Sequence, residues 1–382
     1  MNTNNNHNNK QPQPHRKGSG RALRRRIATG RTCFAYCMLH LAISSIILSL
    51  TSTTQAQSAS PSLLADTPQL ARVEASVDRA VRYLAEHQNP DGSWPNGVGN
   101  GRTNQGVNGI CLLAMMGRGH APNRGPYRDA INRALTHIIS SQNEQGLFVS
   151  DGRSHGPMYE HALATLAVIE AYGFLPSDPI RRSAQKAVDL IVGAQNNEGG
   201  WRYQPEPNDA DLSVTVMQVV ALRAAQNARL HVPQETLDGA LQYTRECAVP
   251  SGGFAYMPGR GPKVAMSAAG ALCLQLLGQH DDPAINPALA FVRDREFNHW
   301  MDGYFYYASY YAMQAHFQAG GQQWADWHPR VRQYLLNTQN EDGSWPGWDE
   351  DKFNTNETKA YSTAFAAMSL EVYMHYLPAY QR

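Results

Sequence analysis

Two aspartates, Asp209 and Asp211, stand directly before an apolar run from Val214 to Val220. They form a tight cluster of acids beside an apolar helical pattern. A carboxyl group at such a place can transfer a proton in a reaction. An Asp that precedes a helix is equally suited to be its N-cap, because the side-chain oxygen accepts a hydrogen bond from a free backbone N–H. The two roles are compatible, and both remain open at this point.

A repeated element, Gln-x-x-x-Gly-x-aromatic, organises the chain around these acids. Its aromatic positions 94, 148, 201 and 254 are 54, 53 and 53 residues apart, and another copy ends at 345. The 91 residues from 254 to 345 leave room for a decayed copy near Trp300 to Tyr304, so the sequence predicts six units. The copy at 251–254 is degenerate. The other copies supply these motif residues: Gln88, Gly92, Trp94, Gln142, Gly146, Phe148, Gln195, Gly199, Trp201, Gln339, Gly343 and Trp345.

The motif predicts a tight corner between two helices. Its Gly permits the turn. Its Gln, at the end of the preceding helix, is expected to satisfy backbone carbonyls left unpaired there, and its aromatic side chain is expected to pack over the turn. Because the device recurs in every unit, we expect it to be structural rather than catalytic.

Each unit carries two helical patterns of different polarity. An amphipathic segment such as 130–139 precedes the motif, and a more continuously apolar segment such as 109–115 follows it. A helix that is apolar all round must be buried, whereas one with a polar face lies outside. Six such alternations predict an all-α fold, an (α/α)6 toroid with a ring of inner helices inside a ring of outer helices.

The Gln-x-x-x-Gly-x-Trp repeats resemble those of the prenyltransferase and squalene-oxidase repeat superfamily, which includes squalene-hopene and oxidosqualene cyclases and protein prenyltransferase β subunits. The resemblance covers residues 74–378. In the cyclases an Asp-x-Asp-Asp motif protonates the polyene, with the middle Asp as the acid. Asp209 and Asp211 match its first and middle positions, and Leu212 replaces the last acid. The resemblance implies Asp211 as the catalytic acid, Asp209 in support, and His161 as the partner that hydrogen-bonds Asp211.

Protonating an alkene requires a neutral carboxylic acid in a dry cavity beside hydrogen-bond donors, and aromatic faces stabilise the resulting carbocation. Polar and aromatic residues recur at the start of the inner helices, around the expected central cavity, as in a binding site. Capping or core packing accounts for the same residues, since tyrosines at i, i+3 and i+4 commonly face a core. The candidate substrate-binding residues are Tyr159, Glu160, Tyr307, Tyr310 and Tyr361.

Residues 1–56 predict an export signal. A basic segment with Arg24, Arg25 and Arg26 leads into an apolar run over 33–50 and then into small residues ending at Ala56. The pattern is typical of a secretory signal cleaved near Ala56. The alternative is an uncleaved membrane anchor, because the run is about as long as the shortest spanning helix. The predicted organisation is a leader over 1–56, a short linker over 57–73, and one toroid domain of six helical-hairpin repeats over 74–382.

The charge balance argues against a nucleic-acid partner. The whole chain has a net charge of +1, but residues 1–56 hold eight Lys or Arg and no acid, so the remainder carries 25 basic and 32 acidic residues. Outside the leader, Cys111, Cys247 and Cys273 show neither a disulfide framework nor metal-ligand pairing. Cys247 also lacks the Asp two residues earlier that the resembling prenyltransferases use for zinc. We expect no metal and no cofactor.

Three functions remain open. The resemblance implies an exported class II terpene-cyclase-like enzyme that cyclises a polyprenyl or triterpene hydrocarbon, a hydrophobic ligand compatible with peripheral membrane contact. A non-catalytic toroid that binds a lipid or peptide is the second, and a secreted polysaccharide-active enzyme with paired carboxylates is the third. A closed, aromatic-lined cavity at Asp211 would favour the first, and a cavity filled by its own side chains the second. An open groove with Trp platforms would favour the third. The sequence carries no signal for an oligomeric state.

Overall fold

Twelve α-helices lie in the part of the chain that the computed structural model describes, namely residues 67–95, 104–150, 156–295, 305–347, 359–372 and 374. The amphipathic, outer ones are α1 (Thr67–Glu86), α3 (Arg128–Ser140), α5 (Asp178–Gly193), α7 (Gln234–Glu246), α9 (Ile285–Arg293) and α11 (Gly321–Thr338). The inner ones are α2 (Gln105–Gly117), α4 (Pro157–Phe174), α6 (Leu212–Asn227), α8 (Val264–Leu276), α10 (Phe305–Ala319) and α12 (Lys359–Glu371).

The six inner helices form a closed ring. Helix α2 contacts α4, and the neighbours continue through α6, α8, α10 and α12 back to α2. Each outer helix packs against the inner helix that precedes it and the one that follows it. The predicted (α/α)6 toroid is therefore confirmed. A two-stranded antiparallel hairpin, β1 (Phe254–Ala255) with β2 (Pro262–Lys263), adds a small amount of sheet at the degenerate fourth corner.

The polarity of each helix explains its place in the two rings. All residues of α2 are buried, because it is apolar on every face and lies between two inner neighbours and the outer ring. Helix α3 buries only one stripe, formed by Ala130, Ile131, Ala134, Leu135 and Ile138. This spacing of three and four residues is the amphipathic pattern seen in the sequence.

Each corner Gln joins two neighbouring outer helices. Gln88 Nε2 donates to the carbonyl of Gly92 in its own corner, at 3.1 Å, and to that of Ala130 in α3, at 2.9 Å. The Gln residues of the second and third corners make the same pair of bonds toward α5 and α7. Gln339 reaches Ser76 in α1, at 2.9 Å, and so joins the sixth unit to the first. The prediction that these amides satisfy carbonyls of their own outer helix is wrong, because the distant acceptor belongs to the next one.

The indole of the corner Trp supplies the bond to its own outer helix instead. Trp94 Nε1 donates to the Leu84 carbonyl in the last turn of α1, at 2.7 Å. Trp201 does the same to Ile191 in α5, also at 2.7 Å. Both indoles are fully buried, so each aromatic packs over its turn as predicted and also satisfies a helix-end carbonyl.

The corner Gly is required by backbone conformation and by space. Gly199 and Gly343 adopt φ values of +86° and +90°, in the left-handed region that glycine tolerates. A Cβ on Gly343 would stand 2.5 Å from the carbonyl oxygen of Arg79 in α1. A Cβ on Gly199 would collide in the same way with the Gly239 carbonyl in α7. The corner can therefore approach the next outer helix only without a side chain.

The toroid belongs to a compact unit that spans Ser60–Arg382. Helix α1 begins at Thr67, so residues 67–73 form part of the first outer helix and not of the predicted linker. The leader over 1–56 and the decayed corner at 300–304 lie outside the described residues. Within the described ranges, no helix combines the length and the apolarity needed to cross a bilayer.

Candidate functional site

Asp211 is the N-cap of the inner helix α6. Its backbone is extended, and its Oδ1 accepts hydrogen bonds from the Val214 N–H at 2.9 Å and from the Ser213 hydroxyl at 2.5 Å. The side chain is fully buried. The capping interpretation of this residue is therefore confirmed, and the cap satisfies one of the free N–H groups of the first turn.

The second oxygen of Asp211 faces a cation and a phenol. Oδ2 accepts from Arg202 Nη1 at 3.0 Å and from the Tyr256 hydroxyl at 3.0 Å. The same guanidinium reaches Asp209, whose Oδ1 lies 3.5 Å from Arg202 Nε. The Asp209 side chain is 49% exposed, whereas that of Asp211 is wholly enclosed. One Arg is thus shared by a solvated carboxylate and a buried one.

Aromatic rings enclose the guanidinium of Arg202. Its central carbon lies 4.4 Å from the centroid of the Tyr203 ring and 5.6 Å from that of Tyr256, within the range of cation–π attraction. The two phenols are hydrogen-bonded to each other. Burial, the bond to Tyr203 and the negative charge of Asp211 raise the pKa of Tyr256. Tyr256 therefore remains a neutral donor.

Two corners bring these groups over the start of α6. The Trp201 carbonyl accepts from the Asp211 N–H at 3.0 Å, and the Tyr256 carbonyl accepts from the Leu212 N–H at 2.9 Å. Arg202 directly follows Trp201, so it emerges beside the cap. The sequence analysis did not identify Arg202 or Tyr256. Their positions could have identified them, because Arg202 follows the corner aromatic Trp201 by one residue and Tyr256 follows Phe254 by two. At these positions the chain passes over the N-terminus of an inner helix.

His161 lies in the second corner and is not bonded to Asp211 in the described structure. Its Nδ1 accepts from the Phe148 N–H at 3.2 Å, and its Nε2 lies 3.0 Å from the Ala187 carbonyl, to which it donates. Burial lowers the pKa of His161 to about 4, so the ring is neutral. The prediction that His161 hydrogen-bonds Asp211 is wrong, because both ring nitrogens of His161 bond to backbone groups, the N–H of Phe148 and the carbonyl of Ala187.

The position of His161 recurs in the other corners that the structure describes. In each case a side chain near the start of the inner helix accepts the backbone N–H of the corner aromatic, at 2.9 to 3.2 Å. The acceptor follows the aromatic by 13, 14 or 18 residues. The five acceptors are Asn108, His161, Thr215, Ser267 and Thr363. An acceptor here is a requirement of the repeat, and it does not mark a catalytic group.

Two predicted substrate-binding tyrosines converge beside Asp211. The Tyr159 hydroxyl lies 2.5 Å from the Ser213 hydroxyl, which in turn donates to Asp211. The Tyr307 hydroxyl donates to the Ser213 carbonyl at 3.4 Å. Tyr159 is half-buried and Tyr307 is buried. Residues from α4, α6 and α10 thus meet at one end of the toroid.

The remaining predicted tyrosines belong to an aromatic cluster. The Tyr310 ring centroid lies 5.4 Å from that of Phe365, which lies 4.9 Å from that of Tyr361. Tyr311 links Tyr310 to Tyr307, with centroid distances of 5.1 and 4.6 Å. All but Tyr361 are buried, and the rings pack on one another. This arrangement is the one expected of core packing.

Glu160 serves the neighbouring unit. Its Oε2 accepts from the Gln105 N–H at 3.0 Å and from the Ser150 hydroxyl. The side chain is buried, and the carboxylate satisfies a free N–H of the first turn of α2. Glu160 therefore joins α4 to α2, and its predicted substrate contact stays a prediction.

Another buried acid lies at the C-terminal end of an inner helix. Glu371, the last residue of α12, is buried against Gly117 of α2. Neither carboxyl oxygen has a hydrogen-bond partner among the described residues. Burial raises the pKa of Glu371 well above its usual value, and the charge of Arg118 opposes the shift only in part. Glu371 is therefore held as a neutral carboxylic acid.

The cysteines and the acids do not assemble into a metal site within the described ranges. No three His, Cys, Asp or Glu side chains come together there as metal ligands. Cys111, Cys247 and Cys273 are free and buried. Burial raises the pKa of the Cys247 thiol to about 12, which keeps it protonated.

Comparison with known proteins places this geometry among toroids. A family model described as the prenyltransferase alpha-alpha toroid domain matches residues 107–343. The chain is 29% identical over 195 residues to a drimenyl diphosphate synthase from Streptomyces showdoensis, covering 50% of this chain and 34% of that protein. It is 26% identical over 141 residues to a lanosterol synthase from Aspergillus fumigatus, covering 34% and 17%. The chain thus matches about a third or less of the length of these relatives.

Solved structures share the fold. The type II terpene cyclase MstE from Scytonema, in complex with merosterolic acid A, has a TM-score of 0.57 and 17% identity, covering 81% of this chain and 99% of that one. The GH76A alpha-1,6-mannanase from Salegentibacter sp. HEL1_6 has a TM-score of 0.57 and 10% identity, covering 80% and 99%. At these identities the likeness is one of fold alone.

Proposed function

Because the chain belongs to the prenyltransferase alpha-alpha toroid family, we propose that it is a terpene-cyclase-like protein in which Asp211 starts the cyclisation of a polyprenyl or triterpene hydrocarbon. The observation that carries the proposal is the fully buried carboxyl of Asp211, which is hydrogen-bonded on both oxygens at the start of an inner helix. The similarity to a drimenyl diphosphate synthase and to a lanosterol synthase supports it.

Hydrogen-bond donors surround both carboxyl oxygens of Asp211. Donors that stabilise the conjugate base are what an acid needs to protonate an alkene. The proton passes from the Asp211 carboxyl to an alkene carbon, and the π electrons form the new C–H bond, which leaves a cation on the adjacent carbon. The resulting carboxylate is paired with Arg202, at 3.0 Å. The next double bond attacks the cation to close a ring, and loss of a proton to water restores an alkene.

Aromatic faces beside Asp211 can stabilise the cation. The rings of Tyr159 and Tyr203 lie 5.6 Å apart, next to the Ser213 hydroxyl and the guanidinium of Arg202. Tyr307 approaches from α10. Burial raises the pKa of Tyr307 well above its usual value, so the phenol is neutral.

Incubation of the purified protein with labelled squalene or geranylgeraniol tests the proposal. We expect a cyclised product from the parent protein and a loss of about 10² to 10⁴-fold in Asp211→Asn, which keeps the shape of the side chain. Asp282→Asn is the matched control, because Asp282 is another largely buried acid paired with an Arg, Arg245, on the outer side of the ring. Equal turnover in Asp211→Asn would contradict the role of Asp211. Saturable ligand binding without product would leave a lipid-binding toroid.

A polysaccharide-active enzyme is the second candidate. The half-exposed Asp209 beside Asp211 favours it, because glycosidases use two carboxyl groups near one substrate. The structural likeness to an alpha-1,6-mannanase provides a substrate to try. Release of reducing sugar from alpha-1,6-mannan, lost in both Asp209→Asn and Asp211→Asn, would favour this function over cyclisation.

We also propose that residues 1–56 direct export. The basic, apolar and small-residue segments of the leader support this. N-terminal sequencing of the protein from extracytoplasmic fractions should show a chain that starts after Ala56. An intact leader in the membrane fraction would identify an anchor, and an intact leader in the cytoplasm would contradict export.

A further inference from the structure

We propose that the axis of the inner ring beside Asp211 forms a shallow pocket, closed at its far end, that holds a chain of farnesol length and leaves longer isoprenoids partly outside. The corner acceptors fix which face of each inner helix points toward the axis. Thr215 of α6, for example, bonds to the corner at Trp201, which packs against the outer helix α5. A residue two positions before or after such an acceptor is rotated by about 200°, so it faces the axis.

The residues two positions before the acceptors form one layer around the axis, here called the mouth layer. They are Gly106, Tyr159, Ser213, Ala265 and Tyr361. The Tyr307 hydroxyl of α10 donates to the Ser213 carbonyl of α6 at 3.4 Å, although α8 lies between these two helices in the ring. A bond between helices that are not neighbours reaches across the axis. Tyr307 therefore belongs to the mouth layer as well.

The residues two positions after the acceptors form a second layer, here called the floor layer. It lies four residues further along each inner helix, a distance of about 6 Å. Its members are Ile110, Leu163, Met217, Ala269 and Phe365. Tyr311, whose ring centroid lies 4.6 Å from that of Tyr307, joins them from α10. These side chains are apolar or aromatic, so the floor layer offers the contacts that a hydrocarbon needs.

The exposure of the two layers locates the opening of the pocket. Tyr159, Ala265 and Tyr361 of the mouth layer are half-buried, and so is Leu163 of the floor layer. The rest of the floor layer is buried, and Phe365 is only 1% exposed. The next residues that face the axis, three positions deeper, are all buried: Leu113, Leu166, Val220, Leu272 and Met368. The opening thus enters beside the tyrosines, reaches Leu163 and ends there.

The depth of the pocket selects a short ligand. Asp211 precedes Met217 by six residues, so it lies about 9 Å from the floor layer along the axis of α6. The terminal isoprene units of farnesol fit this distance, whereas a squalene-length chain is several times longer. The hydroxyls of Tyr159 and Tyr307 are engaged by Ser213, so these residues offer a ligand mainly ring surface. The choice of an isoprenoid rests on the proposed function, whereas the depth of the pocket does not.

Calorimetric titration with geraniol, farnesol and geranylgeraniol measures the length limit without turnover. In the parent protein we expect farnesol to bind at least about tenfold more tightly than geraniol, because its added isoprene unit buries apolar surface. Geranylgeraniol should gain less than about threefold over farnesol, because its further unit stays outside the pocket.

Two substitutions of Leu163 should move this limit in opposite directions. Leu163→Ala deepens the pocket where the opening ends, so geranylgeraniol should bind at least about fivefold more tightly than farnesol. Leu163→Phe fills the same place, so farnesol should lose its advantage over geraniol. Leu190→Ala is the matched control, because Leu190 is also half-buried but lies in the outer helix α5. Its affinity ratios should equal those of the parent protein.

The outcomes separate this inference from the proposed reaction. Opposite shifts in the two Leu163 variants support the pocket even if no cyclised product forms, in which case only the proposed cyclisation fails. Unchanged affinity ratios in both variants, each shown to be folded by its thermal unfolding midpoint, overturn the inference even if the parent protein is a cyclase. The inference is also overturned if none of the three alcohols binds, or if Leu190→Ala shifts the ratios as Leu163→Ala does.

Discussion

Replacement of Glu371 by Gln should remove a pH dependence from the stability of the toroid. Glu371 is buried at the end of α12 with both carboxyl oxygens unpartnered among the described residues. Gln has the same shape, so it preserves the contact with Gly117 of α2. The substitution therefore removes the titratable carboxyl group and changes the packing little.

The size of this pH effect on the free energy of unfolding follows from proton binding. The ordinary pKa of a Glu side chain is 4.5, and burial raises that of Glu371 well above it. Between these values the folded chain retains a proton that the unfolded chain has lost. The stabilisation is complete below pH 4.5 and falls as pH rises, by about 1.4 kcal/mol per pH unit, until the folded-state pKa is passed. Two pH units inside that window remove about 2.7 kcal/mol, a large part of a typical total of about 5–15 kcal/mol.

Denaturant unfolding at several pH values from 5 to 8 measures the effect. The difference in unfolding free energy between Glu371→Gln and the parent protein should grow with pH in favour of the variant, by about 1.4 kcal/mol per unit within the window. Glu246→Gln is the control, because Glu246 also ends a helix but is exposed. The reasoning is refuted if Glu371→Gln and the parent protein show the same pH slope, since Glu371 would then carry its charge in the folded state.

Three further substitutions test the corners by the free energy of unfolding. Gly199→Ala should cost at least about 1–3 kcal/mol, because the positive φ and the adjacent carbonyl of α7 exclude a methyl group. Gly193→Ala, with open space around it, should change stability by less than about 1 kcal/mol, and equal losses would refute the argument. Trp201→Phe keeps an aromatic side chain but removes the indole N–H and part of the buried volume, so it should cost at least about 1–3 kcal/mol; no loss would show that the bond to the Ile191 carbonyl is dispensable. Thr215→Val should cost about 1–3 kcal/mol while Thr215→Ser costs less, because only Ser keeps an acceptor for the corner N–H; the opposite order would contradict this.

The fold could be predicted from the sequence because the corners between helices require particular residue types, which few others can replace. A Gly at positive φ, a Gln four residues before it and an aromatic two residues after it recur at nearly constant spacing, and the helical patterns between them differ in polarity. The acceptors of the Gln amides were not predictable in the same way. They are backbone carbonyls of Ala130, Ser183, Thr236 and Ser76, and every residue type carries such a group.

The site was less predictable than the fold. The N-cap role of Asp211 follows from its place before an apolar helix, as the structure confirms. The role of His161 was inferred from the resemblance to the cyclases, whereas its position, thirteen residues after Phe148, is the repeat position of the corner acceptor. Arg202 and Tyr256 reach Asp211 from turns whose course no helical pattern encodes. Residues in such loops can be assigned to the site only when the three-dimensional arrangement of neighbouring corners is known.

The hydrogen bond from Gln339 to Ser76 spans 263 residues of chain and has a topological consequence. An open stack of repeats has two end units, whose exposed faces must be made polar. A closed ring has no end units, so every unit has a neighbour on both sides. The packing of the units therefore does not depend on which unit comes first in the chain. Circular permutants, with the original ends joined by a flexible linker and new ends opened after any corner, should therefore retain the ring. Deletion of one whole unit leaves two apolar faces with no partner and should lead to aggregation.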